Sequence, residues 1–416
     1  MGRSTRILFV SYGGGHVEMC LPVMHALRQQ MPGCDARILA LTTGFDVALR
    51  AGEMPLGFRD FSGFPDAGRA FRYGAQLVSG DEHPGVAREE SIAYLGFNFL
   101  EWVENEGEEA AWLRWAKNGR HGFLPLNFFR AVLQSLEIDI VVTTNSPRSE
   151  QAAIEAAVSL GIPCLSMLDL FALPGDPFLK RSVHADRLTV LAEATRENMV
   201  AAGIAPARIF VTGNPAFDNL ITSDAKTQGD LWRAAKGWDK KNIIFWAGHL
   251  EMPQALPAGF AGSGLGNQVQ QLLVDWVESH PDACLAVRYH PNEWHAFVKP
   301  PVHPRVHWSQ PGVEPLLPVL LASDQVVVQI TTVGVQAHIA GKRVINIGFS
   351  PYVRISGLDY SLFGMSERAD NPAMLIQLLE QGLAGDSMDK LGLERNGHAA
   401  QAVASHVCAL AAERLA

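Results

Sequence analysis

Short apolar runs and longer segments of helical period alternate along the chain. Runs at 7–11, 36–41, 138–143, 162–167, 188–191 and 209–212 are hydrophobic at nearly every position. A strand with one wet face alternates apolar and polar residues, so continuous hydrophobicity predicts parallel strands covered on both sides. The rhythm then restarts, with strand-like runs at 242–247, 284–289, 325–330 and 343–347 separated by helical stretches such as 266–279 and 333–340. Two successive βαβ sets predict an α/β protein of two doubly wound, Rossmann-like domains. The expected first domain is 1–215 and the second 233–395. Between them 216–232 is polar and turn-rich, as a linker should be, and the Ala-rich stretch 396–416 reads as a helix that closes the structure.

The segment 81–122 breaks the rhythm and reads as a helical insertion on the first domain, with Trp102, Trp112 and Trp115 in an acidic stretch. Tryptophans at helical spacing usually pack against a core, and that reading is preferred over a platform for sugar rings or lipid.

A length of 416 residues exceeds what one hydrophobic core normally supports, in agreement with two domains. Charge adds an exclusion. With 34 basic against 43 acidic residues, a net charge of -9 and no basic run, nucleic acid is not an expected partner. The five cysteines have neither CxxC nor His-paired spacing, which fits a reduced, cytoplasmic setting without structural zinc. No apolar run is long enough for a membrane span, although a peripheral membrane contact is compatible with the composition.

Candidate chemistry lies where strands end. The first strand runs into Gly13, Gly14, Gly15 and His16, after which an apolar-faced helix begins. Three glycines let the backbone approach a ligand closely, but the spacing is not the GxGxxG dinucleotide fingerprint and no acidic residue ends the second strand. His16 is the general-base candidate, since imidazole titrates near neutral pH; a histidine that only caps the loop is the alternative. In the second half, Gly248 and His249 follow a strand, and Arg288 and His290 close the next. Thr331, Thr332 and Gly334 then open a short helix carrying Gln336 and His338. Hydroxyls and backbone N–H groups at a helix N-terminus suit a phosphate or diphosphate, so a nucleotide is the expected ligand. No HxH, HExxH or DxD tract occurs on these loops, so no metal site is expected.

These motifs together resemble the two-domain GT-B glycosyltransferases. The glycine loop resembles the acceptor loop of the lipid-intermediate N-acetylglucosaminyltransferase of cell-wall synthesis. Thr212-Gly213-Asn214-Pro215 resembles the end of the first domain in that enzyme and in the non-hydrolysing UDP-N-acetylglucosamine 2-epimerases. The His290-Pro291 pair and the Thr331–Thr332 loop resemble the donor motifs of bacterial capsule glycosyltransferases, including those that use CMP-activated sugars. The resemblance implies two domains facing across a cleft, a UDP- or CMP-sugar donor as substrate with no separate cofactor, and a carbohydrate, lipid-linked or protein acceptor. It further implies inverting, metal-independent transfer in surface polysaccharide or glycoconjugate synthesis, with a 2-epimerase-like isomerase as the alternative. One departure weighs against that alternative: the epimerases carry an Asp-Ser-Gly-Gly tract and paired glutamates where this chain has Thr331, Thr332, Val333 and Gly334, then Ala337 and His338.

Overall fold

The computed structural model describes residues 3–80, 85–169, 171–252, 262–291, 293–357, 359–381, 392–393 and 396–415. The chain divides into two compact units, Met1–Asp218 with His398–Ala416, and Asn219–Gly397. Each is built on a parallel six-stranded sheet.

In the first unit the strands are β1 (Arg6–Tyr12), β2 (Asp35–Leu41), β3 (Ile140–Thr143), β4 (Cys164–Met167), β5 (Arg187–Val190) and β6 (Ile209–Val211), in the order β2-β1-β3-β4-β5-β6. Their continuous hydrophobicity has a direct cause. Successive side chains of a strand point to opposite faces, and both faces here are covered. Ile7, Phe9, Ile38, Ile140 and Val142 meet Val17, Met24 and Leu27 of helix Gly14–Gln30 and Val403, Val407 and Leu410 of helix Ala399–Leu415. Leu8, Val10, Leu39 and Val141 meet an aromatic layer that includes Phe58, Phe97, Phe128 and Phe129. Helix Ala399–Leu415 is also tied to the sheet edge, with Arg187 paired to Glu413 and donating to the His406 carbonyl at 3.3 Å.

The tryptophans of the 81–122 segment are packing residues. Trp102 is buried beside Phe123 at 4.8 Å between ring centroids, and Trp112 lies 4.5 Å from Phe99. Helices Ala67–Leu77 and Arg88–Glu106 cross so closely that a Cβ on Gly74 would stand 1.9 Å from the Ile92 carbonyl oxygen.

The second unit holds β7 (Asn242–Gly248), β8 (Ala283–Tyr289), β9 (Val306–Trp308), β10 (Gln325–Val328), β11 (Arg343–Ile347) and β12 (Glu367–Ala369), in the order β12-β11-β10-β7-β8-β9. Counted within the unit from the far edge, this is the 3-2-1-4-5-6 order of the dinucleotide-binding folds. The edge strands β9 and β12 have three residues each and no apolar run, so the hydrophobic pattern does not reveal them. Residues 216–232 are ordered rather than an irregular linker. They contain most of the 3-10 turn Pro215–Leu220 and the start of helix Ser223–Lys236, which is capped by Thr222 accepting from the Ala225 N–H at 3.3 Å.

Strand order also locates the chemistry. In an open parallel sheet, the loops at the carboxyl ends diverge where the direction of strand succession reverses, and that divergence leaves a crevice. The reversal lies between β1 and β3 in the first unit and between β7 and β10 in the second.

Candidate functional site

At the β1/β3 reversal, Gly13 adopts φ +83°, turning the chain sharply into helix Gly14–Gln30 and placing His16 in its first turn. Across from it the β3 loop runs Thr144-Asn145-Ser146-Pro147-Arg148, with Arg148 strained at φ +70° before helix Ser149–Ser159. Glu150 on that helix is fully buried, 3.7 Å from His16 Nδ1, and is held by a set of neutral donors. Its carboxylate accepts from the Tyr12 N–H at 2.7 Å, the Ser146 N–H at 2.6 Å and the Thr144 hydroxyl at 2.6 Å.

Because the Thr144 hydroxyl spends its proton on Glu150, it can only accept from His16, whose Nδ1 lies 2.6 Å away. His16 Nε2 stands 3.4 Å from Asp169 Oδ2. Both ring nitrogens therefore face acceptors, which is the pattern of an imidazolium. Burial opposes that charge, but the hydrogen bonds and fields of Asp169 and Glu150 outweigh it and raise His16 to about 10. Burial likewise pushes the Asp169 carboxyl up, and the His16 cation and a 2.9 Å hydrogen bond from Asn145 overcome this, leaving it below its ordinary value. In this arrangement His16 is held as the imidazolium, whereas the general-base role expected of it would use the neutral ring. Asn214 reaches the same corner, donating to the Asp169 carbonyl at 3.4 Å.

The glycines of this loop differ in role. A side chain on Gly14 would crowd Val47 at 3.3 Å, whereas one on Gly15 would meet nothing within 4 Å. Open space therefore lies above the helix terminus at Gly15.

In the second unit the reversal brings together loops after β7, β8 and β10. His249 donates its N–H to the Gln329 side chain at 3.1 Å, which spans the β7/β10 gap. Beneath it Glu251 is buried; it accepts from Gln329, from the Ser350 hydroxyl and, at 2.7 Å, from the Tyr352 N–H. The rings of His249 and His290 lie 5.0 Å apart, and Glu293 Oε2 is 3.1 Å from His249 Nδ1. Burial and the neighbouring His249 lower His290, against an opposing pull from Glu293, so this imidazole is neutral near pH 7.

Thr331 and Thr332 stand on the β10 loop as expected. Thr332 is exposed, and the Thr331 hydroxyl accepts from the Val333 N–H at 3.4 Å. Gly334 has a packing reason: a Cβ there would lie 2.5 Å from the ring of Tyr360, whose hydroxyl donates to the Thr331 carbonyl at 2.6 Å. Gly248 is similar, with the Tyr289 ring 2.4 Å from where its Cβ would stand. Arg288 is turned to other work, donating to Ser309 at 2.8 Å and to the Glu314 carbonyl at 2.9 Å. Helix Val333–Ile339 keeps Gln336 half-buried and His338 buried.

Sequence reasoning missed Thr144, Ser146, Glu150 and Asp169 in the first unit, and Glu251, Glu293 and Gln329 in the second. A signal for some existed. Glu150 and Glu251 are acidic residues a few positions beyond the end of an apolar strand, where a buried carboxylate can collect loop N–H groups.

No protein-family model and no curated protein sequence matches the chain. Solved structures do match in fold. The UDP-GlcNAc 2-epimerase of Methanocaldococcus jannaschii, solved in complex with UDP-GlcNAc and UDP, aligns at 14% identity over 97% of this chain and 100% of its own, with a TM-score of 0.60. A putative UDP-N-acetylglucosamine 2-epimerase from Listeria monocytogenes aligns at 15% identity over 98% of this chain and 96% of its own, TM-score 0.61. The wall teichoic acid polymerase TagF aligns at 12% identity over 100% of this chain and 91% of its own, TM-score 0.58. The chain therefore has the GT-B type of fold, with two doubly wound α/β units. No helix among the described residues is long and apolar enough to cross a membrane.

Proposed function

We propose that this chain is a nucleotide-sugar enzyme. Within the second unit, Thr331, Thr332, His249 and His290 would hold the charged end of a nucleotide, and within the first, His16 and Asp169 are placed for proton transfer. The observation that carries the reading is the His16–Asp169 pair at the β1/β3 reversal, ring nitrogen and carboxylate oxygen 3.4 Å apart, an arrangement that raises the imidazole and lowers the carboxyl from their ordinary values. A reaction that removes one proton and delivers another needs an acid and a base together, and this pair provides both.

That requirement belongs to isomerisation at a sugar carbon, and the epimerases among the fold matches support this reading first. Asp169 would accept the proton from the sugar carbon and His16 would return one to the same carbon with the configuration changed. Transfer to an acceptor hydroxyl is the second reading, supported by the match to TagF and by the absence of the epimerases' acidic donor tract at Thr331–Gly334.

Incubation with UDP-N-acetylglucosamine alone in heavy water separates them. Isomerisation predicts deuterium at the 2-position and a change in its configuration, read by NMR. Transfer predicts an inert sugar until an acceptor is added. Failure of UDP, CMP, GDP and dTDP alike to raise the melting temperature would remove the nucleotide reading altogether.

A further inference from the structure

We propose that His249, His290 and Glu293 form a binding site for one divalent transition-metal ion of the zinc or cobalt class. One ligand atom from each residue lies within 4.8 Å of the others. Backbone geometry explains why. β7 and β8 are adjacent parallel strands in which Gly248 is paired with Tyr289, so His249 and His290 are the next residues side by side at the carboxyl end of the sheet. The Glu293 N–H donates to the His290 carbonyl at 2.9 Å, and this tight turn folds Glu293 back over the pair.

Two imidazoles and one carboxylate are a donor set that suits zinc and leaves a fourth position open. Ligand atoms in such a tetrahedron stand about 3.4 Å apart at bond lengths of about 2.1 Å. The set therefore closes by side-chain rotation of roughly an ångström. Supporting contacts orient the ligands. His249 Nδ1 lies 3.1 Å from the Leu250 carbonyl and 3.1 Å from Glu293 Oε2, contacts that fix the ring's orientation. The Leu250 N–H donates to Glu293 Oε2 at 2.9 Å, fixing the carboxylate.

This proposal needs no nucleotide, and its test uses none. Protein stripped with a chelator is titrated with Co2+ and followed by visible absorption, then by displacement with Zn2+. The expected result is one ion per chain with the strong bands of four-coordinate cobalt. Glu293→Gln and His290→Ala each weaken binding by at least about tenfold, while His295→Ala on the exposed neighbouring turn leaves it unchanged. Absence of a bound ion, or weak six-coordinate binding that all three variants retain, overturns the proposal. Because wild-type spectra alone decide coordination, a variant that fails to fold does not rescue it.

Discussion

The two sheet reversals offer the same backbone opening and fill it with opposite chemistry. In the first unit a cation, His16, is clasped by Asp169 and backed by the buried Glu150, so its charge is satisfied internally. In the second, two imidazoles share one nearby carboxylate, and His290 stays neutral with exposed Thr332 on the adjacent loop. Strand order fixes where a site opens, and the residues after each strand decide what it can do. On the proposed reading the first reversal moves protons and the second receives a ligand.

The sharpest way to break this contrast is Glu150→Ala. Three donors would lose their buried acceptor, and we expect about 3–5 kcal/mol of destabilisation, confined to the first unit and read by hydrogen exchange along β1 and β3. Equal loss of protection in β7 and β10 would contradict it. Next is Gly334→Ala, which drives a methyl into the Tyr360 ring and should cost about 1–3 kcal/mol in the second unit alone, measured by denaturant unfolding.

The pH dependence follows from the raised imidazole. A histidine whose folded value exceeds its unfolded one stabilises the fold fully below about 6.5 and loses that contribution as pH climbs through about 10. The melting-temperature advantage of the wild type over His16→Gln should therefore shrink steadily across that window. An advantage that grows with pH would show that His16 is neutral in the folded protein. The smallest effect is expected from Thr332→Ala: about fivefold weaker nucleotide binding, the value of one hydrogen bond near 1 kcal/mol, with an unchanged melting temperature because the side chain is exposed.

Much of the fold could be read from hydrophobicity, because strands covered on both faces leave unbroken apolar runs and ten of the strands do so. β9 and β12 could not, being three-residue edge strands that bury too little. In the site, His16, His249 and His290 were legible from their place after strands. Their partners were not. Asp169 follows β4 in a segment with no distinctive spacing, and Glu150 lies in an alanine-rich helix whose pattern marks it only as polar. What makes these carboxylates matter is proximity to His16, set by pairing β1 beside β3, and such pairing between distant segments leaves no local trace. Gly248 and Gly334 carried the converse lesson: glycines beside a candidate site were needed by Tyr289 and Tyr360 behind them.

The return of helix Ala399–Leu415 to the first sheet has a consequence for synthesis on the ribosome. Ile7, Phe9 and Ile140 are made well before the side chains that cover part of them, Val403, Val407 and Leu410. The whole intervening unit is translated while that face of the nascent sheet still lacks this cover, so the order of manufacture leaves a finished sheet face waiting on a later helix.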